Sequence, residues 1–70
     1  MSQFGKRMKE VREDRGISQI KLAELLNVWQ SAVSKWELGF REPSIVMIKK
    51  ISEILECDAR YLLGIIDYFD

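Results

Sequence analysis

No histidine occurs in the 70 residues, and there is one cysteine and one proline. Histidine is the commonest general base and the commonest metal ligand, so its absence removes the usual starting point for both chemistries. Cys57 alone can neither close an internal disulfide nor build a metal cluster. It lies among apolar positions between Leu55 and Tyr61 and reads as a small buried hydrophobe. No catalytic constellation, cofactor, metal site or small-molecule site can be assembled from what remains. No run of eighteen apolar residues is present, and no charged, apolar and small-residue leader, so neither a membrane span nor a secretory signal is expected and a cytoplasmic setting follows. Four glycines and one proline leave room for long helices. Period-two alternation, internal repeats and linkers are absent too.

Net charge is also lacking: eleven Lys and Arg face eleven Asp and Glu. The distribution is less even than the sum. Residues 1–41 carry a net charge of +3 and residues 42–70 carry −3. The expectation is an electrostatically polar molecule with one side attractive to an anion.

What is present is helical pattern. Of the residues, 47% are apolar and 31% are charged, a foldable balance for one small domain. Phe4, Met8, Val11 and Arg12 fall at helical spacing and Gly16 ends that run, predicting a helix over about residues 3–15. Ser18 caps a second helix with Leu22, Leu25 and Leu26 on its inner side, and Asn27 stops it in a left-handed conformation. A third helix, carrying Val33 and Trp36, begins almost at once and ends at Gly39. Pro43 breaks the chain and Ser44 caps a fourth helix, with Ile45, Ile48, Ile51 and Leu55 three or four residues apart. Asp58 caps a short fifth helix that Gly64 terminates, and "IIDYFD" closes the chain. The fold class is all-α, a compact five-helix bundle.

Helices two and three are joined by Asn27-Val28-Trp29, too short a link for an antiparallel hairpin of two long helices. A steep crossing follows, the geometry of a helix-turn-helix. Ala23 then keeps the inner face of helix two thin enough for helix three to approach, and Leu22, Leu26, Val28, Val33 and Trp36 fill the wedge.

On these residues the chain resembles the phage Cro and repressor group of helix-turn-helix domains. "FGKRMKEVREDRGISQIKLAELL" is similar to that family's first two helices, "QSAVSKWELG" to its recognition helix, "REPS" to its connection into helix four and "DARYLLG" to its fifth helix. The resemblance implies a cytoplasmic bacterial or phage regulator that binds two-fold operator DNA as a homodimer, with residues 1–64 as the DNA-binding domain and 65–70 as a tail. Mapped by position, the recognition helix, about 30–38, turns Gln30, Ser31, Ser34, Lys35 and Leu38 outward. Gln30 suits adenine N6 and N7, Lys35 suits guanine O6 and N7, and Ser31 and Ser34 suit a base edge or a phosphate. Gln19 and Lys21 at the start of helix two, with Arg41 and Ser44 before helix four, are expected on the DNA backbone, and Gln19 is expected to brace Gln30. Arg12 and Glu37 match a family pair that ties helix one to the end of helix three.

Three departures stand out. Trp29 replaces the small hydroxyl that usually caps the recognition helix; it could staple Val28 and helix two, lie against DNA, or anchor a protein. Phe40 stands where a lysine is common. Val46 and Met47, with Ile65, Ile66, Tyr68 and Phe69, are apolar enough to form a self-association surface, unless the tail folds back on its own core. A second function class follows from Trp29, Phe40 and the zero net charge: a protein-interaction module on the same fold, such as an antirepressor or a toxin-neutralising partner.

Overall fold

The computed structural model describes residues 3–69. Met1, Ser2 and Asp70, at the ends of the expected domain and tail, lie outside the described residues. Five helices follow in order: α1 Phe4–Asp14, α2 Gln19–Leu26, α3 Gln30–Leu38, α4 Ile45–Leu55 and α5 Ala59–Leu62. The expected punctuation is present in atomic detail. The Ser18 hydroxyl accepts the Lys21 N–H at 3.0 Å, the Ser44 hydroxyl accepts that of Met47 at 3.1 Å, and the Asp58 carboxylate accepts that of Arg60 at 2.8 Å. Each satisfies a donor that a helix start leaves open. Asn27 takes the left-handed conformation at φ 59°, so its N–H and that of Val28 close the end of α2 on Glu24 and Ala23 carbonyls and turn the chain straight into α3.

Met8, Val11, Leu22, Val33, Ile51, Leu55 and Leu62 are fully buried, drawing on all five helices. Cys57 is buried among them. Two expected inner positions are corrected. Leu25 is 48% exposed and Ile45 is 85% exposed. At about 100° per residue, Leu22, Ala23 and Leu26 share one narrow stripe of α2, and Leu25 stands beyond its edge. Ile45 is the first residue of α4 and stands about a quarter-turn off the stripe of Ile48, Ile51 and Leu55.

Gly5 sets the approach of α1 to α3. A Cβ there would lie 2.3 Å from the Trp36 carbonyl oxygen and 2.6 Å from that of Glu37. Both are backbone atoms, so the end of α3 seats directly on the backbone of α1. An isolated glycine inside a helical run is the sequence signal for such a contact.

The tail folds back. Arg7 donates to the carbonyls of Tyr61 at 2.8 Å and Ile66 at 2.6 Å, and its guanidinium lies 4.3 Å from the Tyr61 ring centroid. Phe69 packs on Tyr61, ring centroids 4.8 Å apart, and the Arg15 guanidinium lies 5.6 Å from the Phe69 ring centroid. Arg15 also donates to the carbonyls of Leu55 at 2.8 Å and Glu56 at 3.0 Å, placing a cation at the C-terminal end of α4. Ile66, Phe69 and Met47 are partly buried against the molecule's own core. Val46, Ile65 and Tyr68 remain exposed.

Candidate nucleic-acid interface

The exposed side of α3 is held in place from the core outward. Arg12 of α1 and Glu37 of α3 are both buried, and they meet through two hydrogen bonds, Nε to Oε2 at 2.6 Å and Nη2 to Oε1 at 3.0 Å. Arg12 also donates to the Ile17 carbonyl at 2.8 Å. The hydrogen bonds to Glu37 hold the Arg12 pKa above its ordinary value, against the opposing effect of burial. The pair fixes the C-terminal half of α3 against α1.

Gln19, the first residue of α2, continues the network. Its Nε2 donates to Glu37 Oε1 at 2.9 Å, and its Oε1 accepts from Gln30 Nε2 at 3.2 Å. The direction of every bond follows from the first. An ionised carboxylate only accepts, so Gln19 must turn its NH₂ inward and its oxygen outward. Gln30 must then answer with its own NH₂. One N–H of Gln30 and its Oε1 remain for an external group, side by side. That is the donor and acceptor pair complementary to adenine N7 and N6.

Around Gln30, the exposed surface of α3 presents Ser31, Lys35 and Leu38, with Ser34 half-buried. Lys21 is exposed and makes only a loose 3.9 Å pair with Glu24. Arg41 and Ser44 are exposed between α3 and α4, on the rim of a shallow depression that Trp36, Glu42, Pro43 and Met47 complete. The Ser44 hydroxyl is engaged as the cap of α4. Trp29 stands at the N-cap of α3 without capping it and is 84% exposed; Phe40, just past the Gly39 C-cap, is 76% exposed. The indole borders a surface depression with Asn27 and Val28 and is otherwise open to solvent.

The cations of residues 1–41 divide into two sets. Three of the cations that make residues 1–41 positive, Arg7, Arg12 and Arg15, bind carbonyls and carboxylates within the molecule. Lys6 and Lys9 are exposed on α1, and Lys21, Lys35 and Arg41 are left beside α3, giving that face a polar and mildly basic character. Among the described residues no group of His, Cys, Asp or Glu could hold a metal ion, and no helix is long and apolar enough to cross a membrane.

Sequence reasoning placed Gln19 beside Gln30 but missed that Glu37 dictates the polarity of both. The uninterrupted order Arg12, Gln19, Gln30, Glu37 carries no periodic signal of its own; only the crossing of three helices brings the four together.

Comparison with known proteins accords with this geometry. A family model described as helix-turn-helix matches residues 8–62. The chain is 35% identical over 60 residues to the SPbeta prophage-derived HTH-type transcriptional regulator YonR of Bacillus subtilis, covering 86% of this chain and 56% of that one. It is 37% identical over 61 residues to the HTH-type transcriptional regulator ImmR of the same organism, covering 87% and 48%. The chain thus spans about half the length of these two relatives. Among solved structures, the N-terminal DNA-binding domain of SinR from Bacillus subtilis superposes with a TM-score of 0.79 at 34% identity, over 87% of this chain and 90% of that one. The P22 c2 repressor in complex with a synthetic operator gives 0.83 at 30% identity, over 90% and 96%.

Proposed function

The chain belongs to the helix-turn-helix family, and from that premise we propose that it is a sequence-specific double-stranded DNA-binding transcriptional regulator reading the major groove with α3. The observation that carries this reading is the directed hydrogen-bond chain from Arg12 through Glu37 and Gln19 to Gln30. It leaves one donor and one acceptor of Gln30 aimed outward in a fixed order, which a merely solvated helix face would not need. Lys35 is the second base-reading side chain, and Ser31 and Ser34 lie between. Gln19, Lys21, Arg41 and Ser44 flank them toward the phosphates. The DNA-binding unit is residues 1–64 and the tail is 65–70. The protein acts in the cytoplasm of a bacterium or phage host, as two copies on a two-fold site whose half-sites lie about 10–10.5 bp apart. Val46, Ile65 and Tyr68, the exposed members of the apolar set, are the surface for that pairing.

The test is selection of random duplexes by the purified protein, beside Gln30→Ala/Lys35→Ala and Gln19→Ala. The wild type should recover a two-fold motif with an adenine in each half-site. The double variant should lose it. Gln19→Ala should relax the adenine position alone, with about 1–3 kcal/mol less discrimination there, the worth of one bidentate contact. Recovery of no motif at low salt would overturn the proposal and favour a protein partner.

A further inference from the structure

Trp29 is a side chain that the fold leaves mostly in solvent, beside Asn27 and Val28. Its backbone is extended at the N-cap of α3, its side chain makes no cap hydrogen bond, and it stands open to solvent. A hydroxyl at this position would satisfy a free N–H of the helix. The chain forgoes that bond and leaves one of its two tryptophans in water.

The neighbour on α3 explains the placement. Gln30 is the residue whose amide is oriented through Gln19 and Glu37. Consecutive Cα atoms are about 3.8 Å apart, so wherever Gln30 meets a base edge the exposed indole of Trp29 is within reach of the neighbouring groove surface. The apolar group the major groove offers there is the thymine C5-methyl, and an adenine that suits Gln30 is paired with a thymine. Lys21, Lys35 and Arg41 are the cations beside this face, so charge alone supplies a limited share of the contact.

We infer that Trp29 is a specificity-determining residue whose indole covers the C5-methyl of a thymine in, or next to, the base pair read by Gln30. This rests on the DNA-binding reading above. Exposed apolar surface on the free protein and a methyl group in the groove leave water together when the complex forms. The uncapped start of α3 is the structural consequence of keeping an indole there.

The experiment uses a duplex recovered by selection, with each thymine replaced singly by deoxyuridine, which removes only the methyl group. Binding is measured for the wild type, Trp29→Ser and Gln30→Ala. For the wild type, one such replacement near the Gln30 adenine should weaken binding about fourfold, the worth of one buried methyl. Trp29→Ser should bind the thymine and uracil duplexes equally, while melting at a higher temperature than the wild type because its cap is restored. Gln30→Ala should keep the methyl effect while losing the adenine preference. The inference is overturned if no single replacement near the Gln30 adenine weakens wild-type binding, or if the uracil penalty is the same in wild type and Trp29→Ser. Failure of the DNA-binding reading looks different: the wild type then recovers no duplex in which to make the replacement.

Discussion

The two sides of α1 and α3 treat charge in opposite ways. On the α1, α5 and tail side, arginines point inward: Arg7 holds Tyr61 and Ile66 carbonyls, and Arg15 holds the end of α4. On the α2 and α3 side, the outward groups are amides, hydroxyls, two aromatic rings and a few cations. Arg12 stands at the boundary and serves the second side from within, through Glu37. Of the five arginines, Arg41 is the one whose guanidinium makes no contact of this kind among the described residues. A guanidinium with several donors in a fixed fork suits the satisfaction of backbone carbonyls where helices end. The difference teaches that a count of basic residues measures neither the strength nor the location of an anion-binding face. In this chain most arginine maintains the fold, and the outward face of α2 and α3 is left mainly to neutral groups whose direction the fold sets.

The most severe way to break that arrangement is to leave Arg12 buried and unpaired. Glu37→Ala should cost about 3–5 kcal/mol, since one charge of a desolvated pair loses its partner. For a domain of this size such a loss approaches total stability, so urea unfolding should show a sharply lowered midpoint or no folded baseline. An effect below 1 kcal/mol would mean that water reaches Arg12 and that the pair is not the anchor of α3. The next largest effect is expected at Gly5. Gly5→Ala gains helix propensity of about 1 kcal/mol, yet its methyl would collide with the Trp36 and Glu37 carbonyls. Net destabilisation of about 1–3 kcal/mol is expected from overpacking. A stabilised variant would show that α3 can slide on α1, and with it the relay to Gln30.

Much of this was legible in the chain itself. Ser18, Asn27, Ser44 and Asp58 are local signals whose meaning depends on the next three or four residues, and each does in space what its position implied. The resemblance of "QSAVSKWELG" to a recognition helix placed Gln30 and Lys35 on the exposed side. The misread features depend on distant partners. Leu25 is apolar but stands off the narrow stripe fixed by the α3 crossing. Ile66 and Phe69 look like an unclaimed apolar tail until Arg7, Arg15 and Tyr61 are seen to receive them, more than fifty residues away for Arg7 and Arg15. Of the eight cations in the first 41 residues, three arginines bond within the molecule and the other five side chains are exposed.

Trp29→Ser sharpens the comparison from the recognition side. A serine there can accept from an N–H at the start of α3, and a cap of this type is worth about 0.5–2 kcal/mol. The melting temperature should rise by about 4–8 °C for each kcal/mol in a domain of this length. A fall in stability would reveal packing of the indole that its exposure does not suggest.

The smallest expected effect lies on the arginine side and is pH-dependent. The Tyr61 hydroxyl donates to the Glu10 carboxylate, and that bond, with burial, holds the phenol pKa above its ordinary value of about 10. Arg7 over the ring opposes the shift. Because the folded-state pKa is the higher one, this contribution to stability is fully present below about pH 10 and is lost as pH rises through the folded value. A phenolate would face the Glu10 carboxylate with no proton between them. Tyr61→Phe should therefore lose about 0.5–1.5 kcal/mol at neutral pH, the net worth of one hydrogen bond, and should show a shallower decline as pH rises above about 10. Urea midpoints measured across that range for both proteins decide it. Parallel alkaline declines would place the titrating group elsewhere and leave the Arg7 contacts with the Tyr61 and Ile66 carbonyls as the bonds that hold the tail.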